Sequence, residues 1–233
     1  MGTLAQLEET IMKYKILGFW LIFACTSAIN ASIDNFATNV PEDAKPSTSF
    51  QTIMKERSKE IRKKGYIESY STKYEFMINL ENNLKYKAIV DVRDTSLRKN
   101  ASDVVGSSPL KKVSENLKIK TLGYAPVGSF DKNLGWTGLT EIFKAKDLGL
   151  CQFTHLDLKA SGGGYSLLED KIRTDVNGHY TAINVTGKKN QGFDYEVIWF
   201  NDLNMYTLNC IHKEYSNQFK QEVIDLAKQI DEN

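Results

Sequence analysis

The residues with the most chemical potential in this sequence are two cysteines, Cys151 and Cys210, and three histidines. A cysteine thiolate within about 3 Å of a histidine ring can act as a nucleophile. Cys151 and His155 are four residues apart, and in an extended strand that spacing separates them by about 13 Å. A catalytic dyad would therefore need His179 or His212, brought to Cys151 by the fold.

The other chemistry open to two cysteines is a disulfide. Cysteines of exported proteins most often pair, because the compartment is oxidising. Closing a loop of about 60 residues contributes about 3–4 kcal/mol in the loop-entropy model. Strand alternation places Cys210 on the same side as the apolar residues Tyr206 and Leu208. We therefore predict a Cys151–Cys210 disulfide that staples two ends of a sheet, in preference to cysteine catalysis.

Motifs for metal, cofactor or hydrolytic chemistry are not found. The histidines share no zinc-ligand spacing. The run 162–164 of three glycines lacks the Lys-Ser/Thr of a phosphate-binding loop, and no Gly-x-Ser-x-Gly elbow occurs. Scattered carboxylates such as Glu169, Asp170 and Asp175 leave a hydrolase open, because such an enzyme needs two carboxylates about 5–10 Å apart in space. We predict no cofactor and no metal, and the catalytic residues, if any, stay unknown.

Aromatic side chains cluster near the end of the chain. If they face outward, they form a stacking platform for sugars or an interface with a protein. If they face inward, they pack beneath the C-terminal helix, which is the interpretation we favour. The candidate binding surface consists of Tyr195, Trp199, Tyr206 and Tyr215.

The first thirty residues have the organisation of a secretory signal. After Met12, two lysines precede an apolar run and then small residues, which is the order of a cleavable signal peptide. Cleavage is expected after Ala28 or Ala31, with the second site preferred. Residues 12–31 are thus predicted to be the signal. Residues 1–11 carry two acidic residues where a signal is basic, so they are predicted to be an upstream extension.

Two other interpretations of this segment remain. A membrane anchor needs about 20 consecutive apolar residues, and the apolar stretch here is shorter. The residues before Cys25 loosely resemble a bacterial lipobox, which would make Cys25 a lipid-modified N-terminus. The favoured prediction is a protein that lies in the periplasm or is secreted, with no membrane insertion after cleavage.

Composition supports a globular domain. The chain is 41% hydrophobic and 11% aromatic, enough for a packed core, and its net charge of +1 argues against a nucleic-acid partner. Charge is uneven: residues 32–150 carry 20 Lys and Arg against 15 Asp and Glu, whereas 151–233 carry 8 against 12. This asymmetry can steer a partner or hold the two parts of the chain together.

Periodicity predicts an α+β protein, an antiparallel meander packed by a C-terminal helix and preceded by an amphipathic helix. An extended leader (32–49) precedes a helix and strand pair (50–105), followed by a disulfide-stapled region (106–233) in the same domain. The first helix, 50–64, ends at Gly65 and carries six basic residues; it is either a contact surface for an acidic partner or lipid, or a solvated helix, which we favour. The predicted strands are 74–80, 84–92, 117–124, 150–158, 180–186, 195–200 and 205–213. A hairpin turn is predicted at 173–178, with Asn177-Gly178 its strongest signal, and a last helix at 217–230.

The stretch from Gly135-Trp136-Thr137-Gly138 through Cys151-Gln152-Phe153 to Cys210 and the last helix resembles small exported proteins of Legionella-type gammaproteobacteria. The resemblance covers about residues 135–228 and rests on arrangement. It implies a bacterial periplasmic or secreted protein and no particular activity. From the residues, we expect a non-enzymatic module that binds a protein or carbohydrate, with a secreted hydrolase as the alternative.

Overall fold

A computed structural model describes residues 48–82, 100–102, 110–113, 117–133, 135–162, 173–201 and 203–232. The predicted upstream extension, signal peptide and leader lie outside these residues, except for the end of the leader. The predicted strand at 84–92 lies outside them as well. Among the described helices, none has both the length and the apolarity that a membrane span requires.

Eleven helices and strands make up the described structure. They are α1 (Thr48–Lys64), β1 (Ile67–Glu68), α2 (Thr72–Asn82), β2 (Ile119–Asp131), β3 (Gly135–Ala145), β4 (Gly149–Asp157), β5 (Arg173–Val176), β6 (His179–Lys188), β7 (Gly192–Asn201), β8 (Asn204–His212) and α3 (Asn217–Glu232). The strands form one sheet in the order β1-β6-β7-β8-β4-β3-β2, with β5 paired to β6. Only the short β1 runs parallel to its neighbour, so the sheet is mixed and the α+β prediction holds.

Two antiparallel meanders build this sheet. Strands β2, β3 and β4 form the first, and β5 to β8 form the second. They join where β4 pairs with β8, and the predicted disulfide lies on this seam. Cys151 and Cys210 are directly opposite each other, with Cα atoms 4.2 Å apart. The bridge was predicted to join the ends of the sheet, but it joins two neighbouring strands in its middle, because β4 pairs with β8 instead of lying at an edge.

Helix α3 covers one face of the sheet, called the α3 face here. Its apolar side chains pack on a continuous core from β3 to β8, as the spacing of Phe219, Val223, Leu226 and Ile230 predicts. The predicted N-terminal boundary at Asn217 is correct. The Ser216 hydroxyl accepts a hydrogen bond of 3.1 Å from the Phe219 amide, which caps the first turn.

Short-range signals placed two boundaries correctly. Asn177 and Gly178 both have positive φ, 46° and 83°, and connect β5 to β6 as a two-residue turn. The first four residues of the predicted turn, 173–176, form β5 instead, because they pair with β6. Gly65 ends α1 with a φ of 84°, and the Tyr215 hydroxyl occupies the place where a side chain would stand. The six basic side chains of α1 are exposed.

One predicted strand is wrong. Residues 74–80 were expected to be extended, but they belong to helix α2. The segment fits both periods, because Tyr74 and Ile78 belong to an alternating series and also to a helical stripe with Met77. The helix wins because Met77 is fully buried against the sheet and the Ser71 hydroxyl accepts a hydrogen bond of 3.0 Å from the Tyr74 amide as the N-cap.

The glycine-rich stretch between residues 124 and 150 contains no predicted strand. It forms most of the long hairpin of β2 and β3. Register shifts between Thr121 and Gly123 and between Val127 and Phe130 interrupt the pairing. Glycines in strands often mark such bulges. Gly123 and Gly128 therefore lie inside a strand, although glycine by itself does not favour one.

Candidate functional site

The face opposite α3, called the α2 face here, differs in character. Helix α2 covers only one end of it, where Met77 packs on Ile142, Leu150 and Ile211. Elsewhere, hydroxyl and amide side chains stand in rows across the strands. They are Gln152, Thr154, Asn184, Thr186, Thr207 and Asn209. Polar side chains are therefore common on this face, whereas the α3 face has few.

Lysines concentrate where β2 begins and β3 ends. Lys120 and Lys144 are register partners, so their side chains project from the same face. One step further, the Lys146 amide donates a 3.4 Å hydrogen bond to the Lys118 carbonyl, which places those two residues opposite each other as well. All four line one concavity of about 500 Å³, called the lysine groove here.

The ordinary explanation for lysines at this position covers only half of them. An edge strand such as β2 carries lysines, bulges and Pro126 because these prevent pairing with other chains. Lys144 belongs to β3 and Lys146 to the turn after it, so neither is on the edge strand. Like charges directly opposite each other on a sheet are destabilising. Edge protection therefore accounts for Lys118 and Lys120 but not for Lys144 and Lys146.

A second concavity of about 300 Å³, called the inner pocket here, adjoins the lysine groove. Lys144 and Gly149 line both, so the two spaces are neighbours. The floor of the inner pocket is apolar, and its walls bring aromatic rings together with charged groups. Its lining consists of Tyr74, Ile78, Lys144, Asp147, Leu148, Gly149, Leu150, Ile211, His212, Lys213 and Phe219.

The aromatic walls of the inner pocket are fixed in place. The Tyr74 ring lies against the backbone of Gly192, where a built Cβ would be 2.2 Å from the ring. Gly192 has a φ of 94°, so both the space and the backbone conformation require glycine. On the other wall, the ring of His212 packs on Phe219 with centroids 4.6 Å apart. Both walls are thus positioned before any ligand enters.

Two carboxylates on the α2 face are also close. Asp194 and Glu196 lie two residues apart on β7, about 7 Å along one face. The Asn209 amide donates to Asp194 at 3.1 Å, and the Asn184 amide donates to Glu196 at 3.0 Å. Burial first, and then the charge of Glu196, raise the pKa of Asp194 to about 7. The spacing suits a carboxylate hydrolase, but neither residue lines the lysine groove or the inner pocket.

The predicted aromatic binding surface is not exposed. Tyr195, Trp199 and Tyr206 are buried on the α3 face, and only Tyr215 is half-exposed. The Tyr195 hydroxyl donates to the Glu214 carbonyl at 3.1 Å and accepts from the Ser216 amide at 2.7 Å, so it anchors the start of α3. Burial raises the pKa of Tyr195 to about 12. These side chains form core, which is the interpretation that the sequence favoured.

Each histidine has a structural partner. The Lys111 amide donates to His155 Nδ1 at 2.6 Å, and His155 Nε2 lies 2.8 Å from the Asn204 side-chain oxygen. Burial lowers the pKa of His155, which favours the neutral ring. His179 lies at the start of β6 and contacts Asp231 at 3.3 Å. His212 ends β8 and packs on Phe219 as described.

Cys151 is bonded to Cys210, so it has no free thiolate to act as a catalytic nucleophile. Within the described part of the chain, no group of three or more His, Cys, Asp or Glu side chains is placed to hold a metal ion. Glu169 and Asp170 lie outside the described residues, as do Gly163 and Gly164.

The lysine groove was missed from the sequence. Its signal is two Lys-x-Lys tripeptides, Lys118-Ile119-Lys120 and Lys144-Ala145-Lys146, each at the end of a strand. Alternation predicts that the lysines of each tripeptide share a face. That the two tripeptides lie opposite each other depends on the register of a hairpin that the sequence did not reveal.

No protein-family model matches the chain, and comparisons with curated proteins and with solved structures find no significant match. The resemblance to small exported proteins therefore stays a prediction. The fold and the site define an α+β protein with one apolar, helix-covered sheet face and one polar face that carries a cationic groove.

Proposed function

We propose that this chain is an exported, non-enzymatic binding module that takes an anionic ligand in the lysine groove. The observation that carries the proposal is the direct opposition of Lys120 to Lys144, with Lys118 opposite Lys146, around one concavity. Because four lysines line the same concavity, a ligand with several negative charges is attracted to all of them when it binds there.

Electrostatics in the neighbourhood supports the assignment. Lys213 lines the adjoining inner pocket and adds a fifth cation, whereas Asp147 is the only carboxylate among the described residues that line either concavity. Since the groove is open to solvent, its charges act through screened attraction and accelerate encounter with anions. A groove of this kind recognises charge without the buried, convergent acids and bases that catalysis requires.

The test uses protein expressed in a bacterial host with all 233 residues. Export is supported if protein from the periplasm or medium has the intact mass of a chain that starts at Ile29 or Ser32. An uncleaved chain retained in the cytoplasm contradicts it. Binding of dextran sulfate and of uncharged dextran is then measured by titration calorimetry. We expect dextran sulfate alone to bind, with an affinity that falls as NaCl is raised, because salt screens the lysines.

The matched variants are Lys120→Gln with Lys144→Gln, and, as the control, Lys159→Gln with Lys189→Gln, two exposed lysines in turns that line neither concavity. The groove variant is expected to lose about tenfold in affinity for dextran sulfate, or about 1.4 kcal/mol. The control variant is expected to keep its affinity. Equal losses in the two variants would show nonspecific charge attraction, and the groove would not be a binding site.

A further inference from the structure

We infer that the ligand is an acidic carbohydrate, whose acid groups lie in the lysine groove and whose sugar ring enters the inner pocket. This inference rests on the proposed function and names the ligand class of the same site. It follows from the two concavities being neighbours: Lys144 and Gly149 line both, so a ligand that contacts Lys144 in the groove lies beside the inner pocket.

The inner pocket has the mixed chemistry that a sugar ring needs. A pyranose presents an apolar C–H face and a rim of hydroxyls. Leu148, Leu150 and Ile211 are 7%, 4% and 7% exposed and provide an apolar floor. Lys213 and Asp147 provide a donor and an acceptor for hydroxyls at the same pocket.

Tyr74 is the residue that distinguishes a sugar from a simple anion. One side of its ring packs on the backbone of Gly192, and the residue lines the inner pocket. A ring held in this way loses little conformational freedom when a second ring stacks on it. Inorganic anions gain nothing from such a surface, because their binding depends on charge alone.

The size of the inner pocket agrees with this assignment. Its volume of about 300 Å³ is at the lower end of ligand pockets, which are roughly 300–1,000 Å³. It accommodates one ring, whereas the larger lysine groove of about 500 Å³ accommodates the charged continuation of the ligand. An acidic peptide would instead require an extended surface, because its charges are distributed along a backbone.

The experiment compares three probes on the full protein: trigalacturonate, which has rings and carboxylates; citrate, which has three carboxylates and no ring; and maltotriose, which has rings and no charge. We expect trigalacturonate to bind at least tenfold more tightly than citrate, and maltotriose to bind more weakly than either. If citrate binds as tightly as trigalacturonate, the inference fails while the proposed function stands. If neither trigalacturonate, citrate nor dextran sulfate binds, the proposed function itself fails.

Two variants test whether the sugar ring stacks on Tyr74. Tyr74→Leu keeps an apolar side chain at this position and removes the aromatic face; Tyr70→Leu changes a tyrosine that is 52% exposed, just before α2, and serves as the control. Tyr74→Leu is expected to weaken trigalacturonate about tenfold and to change citrate by less than twofold. Tyr70→Leu is expected to change neither. Equal weakening of both probes by Tyr74→Leu, or no weakening, would overturn the inference. Because the comparison of probes on the unmodified protein is independent of this variant, a folding defect in Tyr74→Leu leaves the test intact.

Discussion

The two faces of the sheet are built from the same strands and carry opposite chemistry. On β7, alternate residues Tyr195, Val197 and Trp199 are each 1% exposed or less and lie under α3. The intervening residues include Asp194, Glu196 and Ile198 and face the other way. One strand therefore contributes to a closed apolar core on one side and to a polar surface on the other.

This difference separates stability from binding. The few polar residues on the α3 face are all partnered: Glu141, for example, accepts from the Val113 amide at 3.0 Å and from the Thr121 hydroxyl at 2.6 Å. Throughout the described residues, every buried side-chain nitrogen or oxygen has a hydrogen-bond partner. The α3 face thus holds the larger part of the apolar core, whereas the α2 face carries a smaller apolar cluster, the opposed lysines and the buried Asp194.

The largest expected effect comes from truncating neighbours on opposite faces. Trp199→Ala removes a fully buried indole and its 3.0 Å hydrogen bond to Asp231. We expect a loss of about 4 kcal/mol in the free energy of unfolding. Ile198→Ala, one residue away on the half-buried face, is expected to cost about 1 kcal/mol. Urea unfolding of both variants measures the difference, and similar losses would show that the two faces contribute equally to stability.

An intermediate effect is expected at Asp194, through pH. The folded-state pKa of about 7 lies above the ordinary 3.8, so the native state holds a proton that the unfolded chain releases. The stability that protonated Asp194 contributes is therefore fully present below the unfolded-state pKa. It is lost as the pH rises through the folded-state pKa. Asp194→Asn keeps the acceptor for Asn209 and removes this decline. We expect the variant to be more stable than the unmodified protein at pH 8 by on the order of 2–4 kcal/mol and equally stable near pH 3.5.

The neighbours of Asp194 sharpen this prediction. Glu196 raises the pKa of Asp194 by its charge, whereas Lys73 of α2 lowers it. Glu196→Gln should therefore lower the pKa of Asp194 and give a pH profile between those of the other two proteins. Unfolding midpoints in urea from pH 3.5 to 8.5 test both variants. Parallel profiles for Asp194→Asn and the unmodified protein would show that Asp194 is not the group responsible.

The smallest expected effect compares the two helix caps. Ser216→Ala removes the cap of α3, and Ser71→Ala removes the cap of α2. The first is expected to lower global stability by about 1 kcal/mol. The second is expected to increase hydrogen exchange of α2 amides about fivefold, with the unfolding midpoint nearly unchanged, because α2 opens locally. A global loss from Ser71→Ala as large as that from Ser216→Ala would make α2 part of the main core.

Much of the second meander was predictable because its signals are local. The Asn177-Gly178 turn, the alternation around Cys210 and the apolar spacing of α3 depend on residues near each other in the chain. By contrast, Tyr74, Met77 and Ile78 fit both a strand and a helix, and only packing on Ile142 and Ile211 chooses between them. Prediction from local pattern fails where the same residues fit both the strand period and the helix period.

The sequence by itself determined the α+β class, the pairing of Cys151 with Cys210 and the apolar stripe of α3, because each depends on residue type and short spacing. Only the tertiary structure decided that the disulfide lies in the middle of the sheet, that Trp199 and Tyr206 are core, and that four lysines surround one groove. The physical reason is register: residues far apart in the chain become neighbours only when the strands pair, and a shift of one residue would send Lys120 and Lys144 to opposite faces.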